Sequence, residues 1–295
     1  MTATPVVTAT PVAPAIAPDP PVPAAGPAAP LAARPPPDPL QIRLGVDLPI
    51  LALGAAIALG TELVGGGSEQ RWAGCGGCSP TDLNALDRTV IGKHSHGAAV
   101  FSDAALAATV GLPFVLDLGD VLIQRARDRP DWKARHMRSW GKDAVVLLET
   151  FFVNFATTNV VKLAVRRPRP YSYDETSTVG DPTENQARLS FYSGHASSAF
   201  AMATAYAYLF QLRHPRSRWA LPVWVLGLGL ASATAVARVE AGKHFWTDVI
   251  VGATAGTAIG LLVPALHRHA RIGEHAALRL APTRTGSLLL LQGRF

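Results

Sequence analysis

Three groups of polar residues in the C-terminal half of the chain have the types and spacings that phosphate chemistry requires. They run from Lys162 to Pro170, from Tyr192 to His195 and from Arg238 to Asp248. In the last group His244 precedes Asp248 by four residues, so both side chains share a face if the segment is helical. A carboxylate that accepts a hydrogen bond from one ring nitrogen leaves the lone pair of the other nitrogen available for attack. A capping aspartate beside an interfacial histidine is the alternative interpretation.

The middle group has the composition of an anion-binding helix start. Ser193 and Gly194 lie where unpaired backbone N–H groups and the positive end of a helix dipole would attract phosphate. Gly194 allows close approach of the backbone, and His195 could protonate a leaving oxygen. A serine N-cap followed by a solvated histidine would give the same pattern.

The first and third groups supply positive charge. Lys162, Arg169 and Arg238 can together offset the charge of a phosphate and of its transition state. Basic residues at the ends of apolar segments can also serve only as interfacial anchors. Arg166 and Arg167 offer the same chemistry, and we assign them to the rim of the predicted site.

Long apolar segments must position these groups. The chain is 48% hydrophobic and only 16% charged, whereas soluble proteins carry about 25% charged residues. A bilayer-spanning helix needs about 20 apolar residues. The segments that meet this length are 46–65, 97–123, 141–162, 195–211, 219–238 and 244–266. The sequence therefore predicts an all-α, six-transmembrane helical bundle over residues 45–268.

Five acidic residues interrupt the first two predicted spans and are expected at the interface or facing the bundle interior. They are Asp47, Glu62, Asp103, Asp117 and Asp120. Basic residues cluster between spans two and three, between spans four and five, and after span six, which predicts that these loops and both termini are cytoplasmic. The acidic 171–190 loop and all three polar groups then lie on the extracytoplasmic face. We assign the net charge of +6 to topology and expect no nucleic-acid partner.

The two ends of the chain carry no predicted chemistry. Most of the 24 prolines precede residue 40, so residues 1–44 are predicted to be a disordered Pro/Ala-rich tail. Residues 269–295 are predicted to be a C-terminal cytoplasmic tail, whose leucine run would form a strand or a membrane-associated segment. Cys75 and Cys78, the two cysteines, are too few for a zinc site and indicate a local disulfide or free thiols.

At these residues the chain resembles the type 2 phosphatidic acid phosphatase (PAP2) superfamily, which also includes vanadium haloperoxidases and glucose-6-phosphatase. The family pattern is Lys-x6-Arg-Pro, then Pro-Ser-Gly-His, then Ser-Arg-x5-His-x3-Asp. This chain departs from it only at Tyr192 and Ala237, where the family has proline and serine. The resemblance implies that His244 attacks phosphorus, Asp248 orients it and His195 protonates the leaving group. It implies a phosphate site formed by Lys162, Arg169, Ser193, Gly194 and Arg238, with no metal and no other cofactor.

The expected function is hydrolysis of a lipid phosphate monoester or pyrophosphate through a phosphohistidine, in a multi-pass protein of the cell membrane, such as a bacterial inner membrane. Its partners would be a phosphorylated lipid substrate and the surrounding membrane lipids. Phosphatidic acid, phosphatidylglycerol phosphate and isoprenoid pyrophosphates are the candidate substrates. The alternatives are a phosphotransferase, a vanadium-dependent haloperoxidase with the same pocket, and a non-catalytic membrane protein that binds phosphorylated lipids.

Overall fold

The computed structural model describes residues 38–66, 78–127, 133–174, 187–268, 277–283 and 286–292. Residues 1–37 of the predicted 1–44 tail lie outside these ranges. Residues 38–44 are ordered against the bundle, because Leu40 is fully buried and Asp38 pairs with Arg213, so the tail was predicted too long. Each of the six segments predicted to span the membrane coincides with a long helix, except that Trp219 precedes the fifth of these helices and that His244 and Phe245 precede the sixth. These helices are α1 (Leu44–Gly66), α3 (His96–Arg127), α4 (Lys133–Val165), α5 (Gly194–Arg213), α6 (Ala220–Glu240) and α7 (Trp246–His267), and a short α2 (Ala85–Arg88) precedes α3.

The helix α5 lies at the centre of the bundle. It packs against α3, α4, α6 and α7, while α1 packs on the outside against α4. Five of the long helices are apolar and long enough to cross a membrane, and α5 is the exception. More than half of α5 is buried, and many of its buried residues are alanine, serine or threonine. A helix surrounded by other helices does not face lipid, so it needs little apolar surface. The helices are those of a multi-pass membrane protein.

Three glycines spaced four residues apart allow α7 to approach the backbone of α5. A Cβ atom at Gly252 would lie 2.8 Å from the Ser193 carbonyl oxygen. At Gly256 a Cβ atom would collide with the Ser197 carbonyl oxygen, and Gly260 is equally crowded. Small residues at this spacing are the usual means of close helix packing in membranes. This contact fixes the start of α7 against the start of α5.

Replacing Gly256 by alanine is therefore expected to push α5 and α7 apart and to destabilise the protein by about 1–3 kcal/mol. Gly229→Ala on α6 is the matched control, because a Cβ atom there meets nothing within 4 Å. Alanine favours a helix over glycine by about 0.5–1 kcal/mol. The thermal midpoint in detergent should fall for Gly256→Ala and stay constant or rise for Gly229→Ala. Equal midpoints would contradict this account of the packing.

The loop between α1 and α3 contains two capped turns. The Ser79 hydroxyl accepts a hydrogen bond from Thr81 N, and the Asp82 carboxylate accepts one from Ser79 N. This capping box opens a 3₁₀ turn, Pro80–Asp82, which Leu83 ends. Asn84 then caps α2. The sequence predicts one short helix here, and a second cap divides it into two turns.

Beyond the bundle, the C-terminal segment forms an antiparallel hairpin. Its strands are β1 (Ala277–Thr283) and β2 (Gly286–Gln292), paired with Leu280 opposite Leu289. The leucine run of the predicted tail lies in β2. The helical bundle therefore carries a small β element at its C-terminal side.

Candidate active site

Four helix ends meet at one end of the bundle: the last turns of α4 and α6 and the first turns of α5 and α7. The Ser193 N–H, at the start of α5, donates to the Asp248 carbonyl oxygen in the first turn of α7 at 3.1 Å. The Ser95 N–H, just before α3, donates to the Glu240 carbonyl oxygen at 3.0 Å. The chain thus brings together the three polar groups that are far apart in the sequence.

His244 lies in the turn between α6 and α7, two residues before α7 begins. The sequence predicts that it shares a helical face with Asp248, and the structure places it ahead of that helix. The Nδ1 atom of His244 lies 2.9 Å from the Ser190 carbonyl oxygen. A carbonyl oxygen can only accept, so Nδ1 carries the proton and Nε2 keeps its lone pair. Only 1% of His244 is exposed.

Asp248 supports the same turn through several contacts. One carboxylate oxygen, Oδ2, accepts hydrogen bonds from the Phe245 N–H at 2.9 Å and from the Ser190 hydroxyl at 2.5 Å. That oxygen lies 3.7 Å from His244 Nδ1, which is longer than a hydrogen bond. Ser190 bridges the pair, because its hydroxyl contacts Asp248 and its carbonyl oxygen contacts His244.

The surroundings of His244 favour a neutral imidazole. Burial lowers the pKa of His244 well below its usual value. The negative charge of Asp248 opposes this shift, whereas the guanidinium groups of Arg169 and Arg238 lower the pKa further. An unprotonated ring nitrogen is what a nucleophile requires. The two arginines therefore lie close enough to act electrostatically on this ring.

Arg167 is held inside the site, although the sequence predicts it at the rim. Its guanidinium donates to Asp248 Oδ1 at 2.6 Å and to Asp87 Oδ2 at 2.7 Å. It also donates to the Thr247 hydroxyl at 2.7 Å and lies over the Phe245 ring, 4.3 Å from its centroid. One cation thereby joins two fully buried carboxylates.

Asp87, on α2, connects the loop before α3 to this network. Its carboxylate accepts from the Thr247 N–H at 3.0 Å and from the Thr247 hydroxyl at 2.6 Å. Burial would raise the pKa of Asp87, but hydrogen bonds from Thr247 and Arg167 outweigh it and lower that pKa. An ionised Asp87 is therefore the stable partner of Arg167.

His195, Asp103 and Arg238 form a second network beside the first. The Nε2 atom of His195 lies 2.8 Å from Asp103 Oδ1, which also accepts from Arg238 Nη1 at 3.2 Å. Arg238 donates to the Ser102 hydroxyl at 3.2 Å as well. Its Nε is buried and has no hydrogen-bond partner among the residues that the structure describes. A buried N–H donor of this kind suits an anion that enters the site.

The remaining predicted phosphate ligands surround the start of α5. Ser193 is the N-cap of the helix, and its hydroxyl accepts a hydrogen bond from Ala196 N. A Cβ atom at Gly194 would lie 3.3 Å from Lys162 Nζ, so glycine leaves room for the ammonium group. Arg169 is buried, with 6% exposed. The predicted cations and the helix start therefore border one region.

Several residues of the site were not predicted from the sequence. Ser190, Asp87 and Thr247 contact the predicted residues only through the fold, and no spacing pattern marks them. Asp103 had a signal, because an acidic residue inside a predicted span is expected at the interface or facing the bundle interior. Its side chain contacts His195 and Arg238 while 64% of it stays exposed, so it lies at the edge of the bundle rather than inside it.

Comparison with known proteins identifies relatives for this part of the chain. Residues 143–272 match the PAP2 superfamily. A lipid A 1-phosphatase from Porphyromonas gingivalis is 32% identical over 126 residues, which are 42% of this chain and 24% of that protein. Phospholipid phosphatase 1 from Rattus norvegicus is 36% identical over 81 residues, 26% of this chain and 29% of the relative. The chain thus spans less than a third of the length of these two curated relatives.

A solved structure is also similar. It is a transmembrane PAP2 type phosphatidylglycerolphosphate phosphatase from Bacillus subtilis, with 20% sequence identity and a TM-score of 0.43. The match covers 75% of this chain and 94% of that structure.

Proposed function

This chain belongs to the PAP2 superfamily, and from that premise we propose that it is a membrane phosphatase for phosphorylated lipids. The substrate is a phosphate monoester or pyrophosphate, and the reaction passes through a phosphohistidine at His244. The catalytic residues are His244, His195 and Asp248. The phosphate ligands are Lys162, Arg169, Ser193, Gly194 and Arg238.

One observation carries this proposal: the buried His244 is held by a backbone carbonyl oxygen, and the charges of two arginines act on its ring. Nδ1 of His244 donates to Ser190, which leaves Nε2 as the nucleophile. Arg169 and Arg238 are both near enough to influence that ring. A scaffold that only binds phosphate needs the cations but has no use for an oriented histidine nucleophile.

The reaction proceeds in two displacements. Nε2 of His244 attacks phosphorus, the bond to the leaving oxygen breaks, and His195 gives its proton to that oxygen. Water then attacks the phosphohistidine while His195 takes a proton from it, so that phosphate and the original histidines are regenerated. The arginines and Lys162 stabilise the negative charge that grows on the phosphoryl oxygens in both steps.

The lipid nature of the substrate follows from the relatives and from the position of the site. The curated relatives include a lipid A 1-phosphatase and a phospholipid phosphatase. The candidate site lies at the ends of apolar helices, where the headgroup of a membrane lipid would lie. A lipid phosphate can reach this site without leaving the bilayer.

The extracytoplasmic side is supported by charge and by cysteine chemistry. Arg213, Arg216 and Arg218 lie at the end of the bundle opposite the site, which the positive-inside rule assigns to the cytoplasm. Cys78 is disulfide-bonded and precedes the capped turns at the site end. Disulfides persist in oxidising compartments and are rare in the cytosol.

Phosphate release from a lipid panel tests the proposal. Purified full-length protein in mixed micelles is given phosphatidic acid, phosphatidylglycerol phosphate, lipid A and an isoprenoid pyrophosphate, with His244→Ala as the control. We expect turnover of at least one lipid by the wild type and none by the variant. Lipid binding without turnover by the wild type would contradict the proposal and favour a scaffold.

The leaving group should reveal the role of His195. His195→Asn is expected to slow hydrolysis of an alkyl phosphate about 10²–10⁴-fold. Hydrolysis of a nitrophenyl phosphate should slow much less, because its leaving group departs without protonation. Asp103→Asn should show the same pattern more weakly, since Asp103 contacts His195 Nε2. An equal loss with both substrates would exclude His195 as the acid.

Cysteine labelling tests the orientation. Thr89 and Arg216 are exposed at opposite ends of the bundle. A membrane-impermeant maleimide should label Thr89→Cys on intact cells and Arg216→Cys only after the membrane is opened. The reverse pattern would place the site on the cytoplasmic side while leaving the chemistry unchanged.

A further inference from the structure

A second cluster of chemically capable side chains lies at the end of the bundle opposite His244. It contains Asp47 in the first turn of α1, Glu149 within α4 and His267, the last residue of α7. The helix α7, of 22 residues, lies between His244 and His267 and separates them by about 30 Å. This cluster has no part in the proposed phosphatase reaction.

All three side chains are buried, with 7%, 5% and 7% of the side chain exposed. Their ligand atoms lie within 4.8 Å of one another, and no other His, Cys, Asp and Glu cluster of this kind occurs in the described part of the chain. His267 Nε2 is 3.0 Å from Glu149 Oε2 and 3.4 Å from Asp47 Oδ1. Two ligands bound at about 2.0–2.2 Å to one ion stand about 3.0–3.5 Å apart.

The cluster has unused ligand atoms. Glu149 Oε2 and His267 Nε2 are close but not aligned as donor and acceptor, and neither has a hydrogen-bond partner among the described residues. Nδ1 of His267 lies 2.9 Å from the Val263 carbonyl oxygen, so Nδ1 carries the proton. A histidine whose other nitrogen donates to a backbone carbonyl has the arrangement found in metal ligands.

Charge points to a divalent cation. Two carboxylates and an imidazole are buried together here, and ionised carboxylates inside the bundle of a membrane protein are costly unless a cation compensates them. Asp47 Oδ2 accepts from the Arg43 N–H at 2.6 Å, which leaves Oδ1 directed to the cluster. A divalent ion would neutralise both carboxylates, and one nitrogen with two oxygens suits a first-row transition metal.

We propose that Asp47, Glu149 and His267 bind one first-row divalent cation, such as Zn²⁺ or Mn²⁺, which joins α1, α4 and α7. The ion stabilises the end of the bundle that is remote from the candidate active site. Because each ligand comes from a different helix, the bound ion acts as a cross-link between them. It should therefore raise the thermal midpoint of the protein.

The test is metal binding by tag-free, full-length protein in detergent after chelator treatment. Zn²⁺ and Mn²⁺ are added separately, and bound metal is measured by mass spectrometry after desalting. We expect one equivalent in the wild type with a higher thermal midpoint. Binding should be at least about 100-fold weaker in Glu149→Gln and Asp47→Asn. His214→Gln is the matched control, because His214 pairs with Asp120 at 2.8 Å at the same end of the bundle.

Two outcomes would overturn the proposal. If the wild type binds no stoichiometric metal, the cluster is an ion pair with a protonated histidine. If Glu149→Gln binds as tightly as the wild type, the metal is elsewhere. If a variant fails to fold, the Co²⁺ absorption spectrum of the wild type still tests the site. Nitrogen and oxygen ligands should give visible d–d bands, and the absence of such bands would contradict the proposal.

Discussion

Replacing His244 by alanine is expected to lower kcat/KM for lipid phosphate hydrolysis by at least about 10⁴-fold, a loss of about 5 kcal/mol of transition-state stabilisation. The physical reason is that Nε2 forms the bond to phosphorus, and no other side chain can replace it. The neutral imidazole is held by the Ser190 carbonyl oxygen at 2.9 Å. Initial rates of phosphate release with the purified variant check the prediction.

The controls separate chemistry from folding. His214→Gln should retain activity within about twofold, because this partly exposed histidine lies at the opposite end of the bundle. His244→Gly leaves a cavity, and added imidazole is expected to restore part of the activity. A denatured protein could not respond to imidazole in this way. Retention of wild-type turnover by His244→Ala would exclude the phosphohistidine mechanism.

The pH dependence follows from the environment of His244. Burial lowers its pKa well below the usual value, and Arg169 and Arg238 lower it further, against the opposing charge of Asp248. The imidazole therefore stays neutral as pH falls through the usual range of histidine, and only stronger acid protonates it. We expect phosphohistidine formation to continue on the acidic side of 6.5, the ordinary histidine value. Rapid-quench trapping of the phosphoenzyme across pH measures this step alone.

The second large effect is expected at Arg167. Arg167→Ala leaves the buried carboxylates of Asp87 and Asp248 without their common cation. Breaking a buried ion pair by removing one partner costs about 3–5 kcal/mol. Activity should also fall by about 10²-fold or more, because Asp248 and Ser190 position the turn that carries His244. Thermal midpoints in detergent, together with rates measured well below them, check both effects.

The neighbouring arginine provides the matched control. Arg166 is exposed and has a positive φ of 52°, a conformation that glycine adopts more readily. Arg166→Gly should therefore match the wild type in activity and equal or exceed it in stability. Arg167→Lys should recover only part of the loss, since one ammonium group cannot reproduce the guanidinium fork. If Arg166→Gly lost as much activity and stability as Arg167→Ala, the assignment of Arg167 to the inner network would be wrong.

The sequence predicted the polar groups and the helices that carry them to within a few residues. Ser193 and Gly194 were predicted at the start of a helix, and they lie at the N-cap and first position of α5. The apolar segments were recognisable because a helix in contact with lipid needs a long run of apolar residues. The centre of the bundle was less predictable, since α5 has the small and polar residues of a helix enclosed by protein. Whether α5 itself crosses the membrane stays a prediction.

The sequence by itself determined which residues could perform chemistry, because residue types and short spacings are local properties. It also indicated a resemblance to the PAP2 superfamily, which residues 143–272 match. Only the tertiary structure decided which partners these residues have. Ser190 contacts both His244 and Asp248, and Arg167 donates to Asp248 inside the site. These contacts cross four helix ends, so they depend on how the helices pack and not on any local spacing. His244 keeps its part as the proposed nucleophile, and the fold supplies the carbonyl oxygen that orients it.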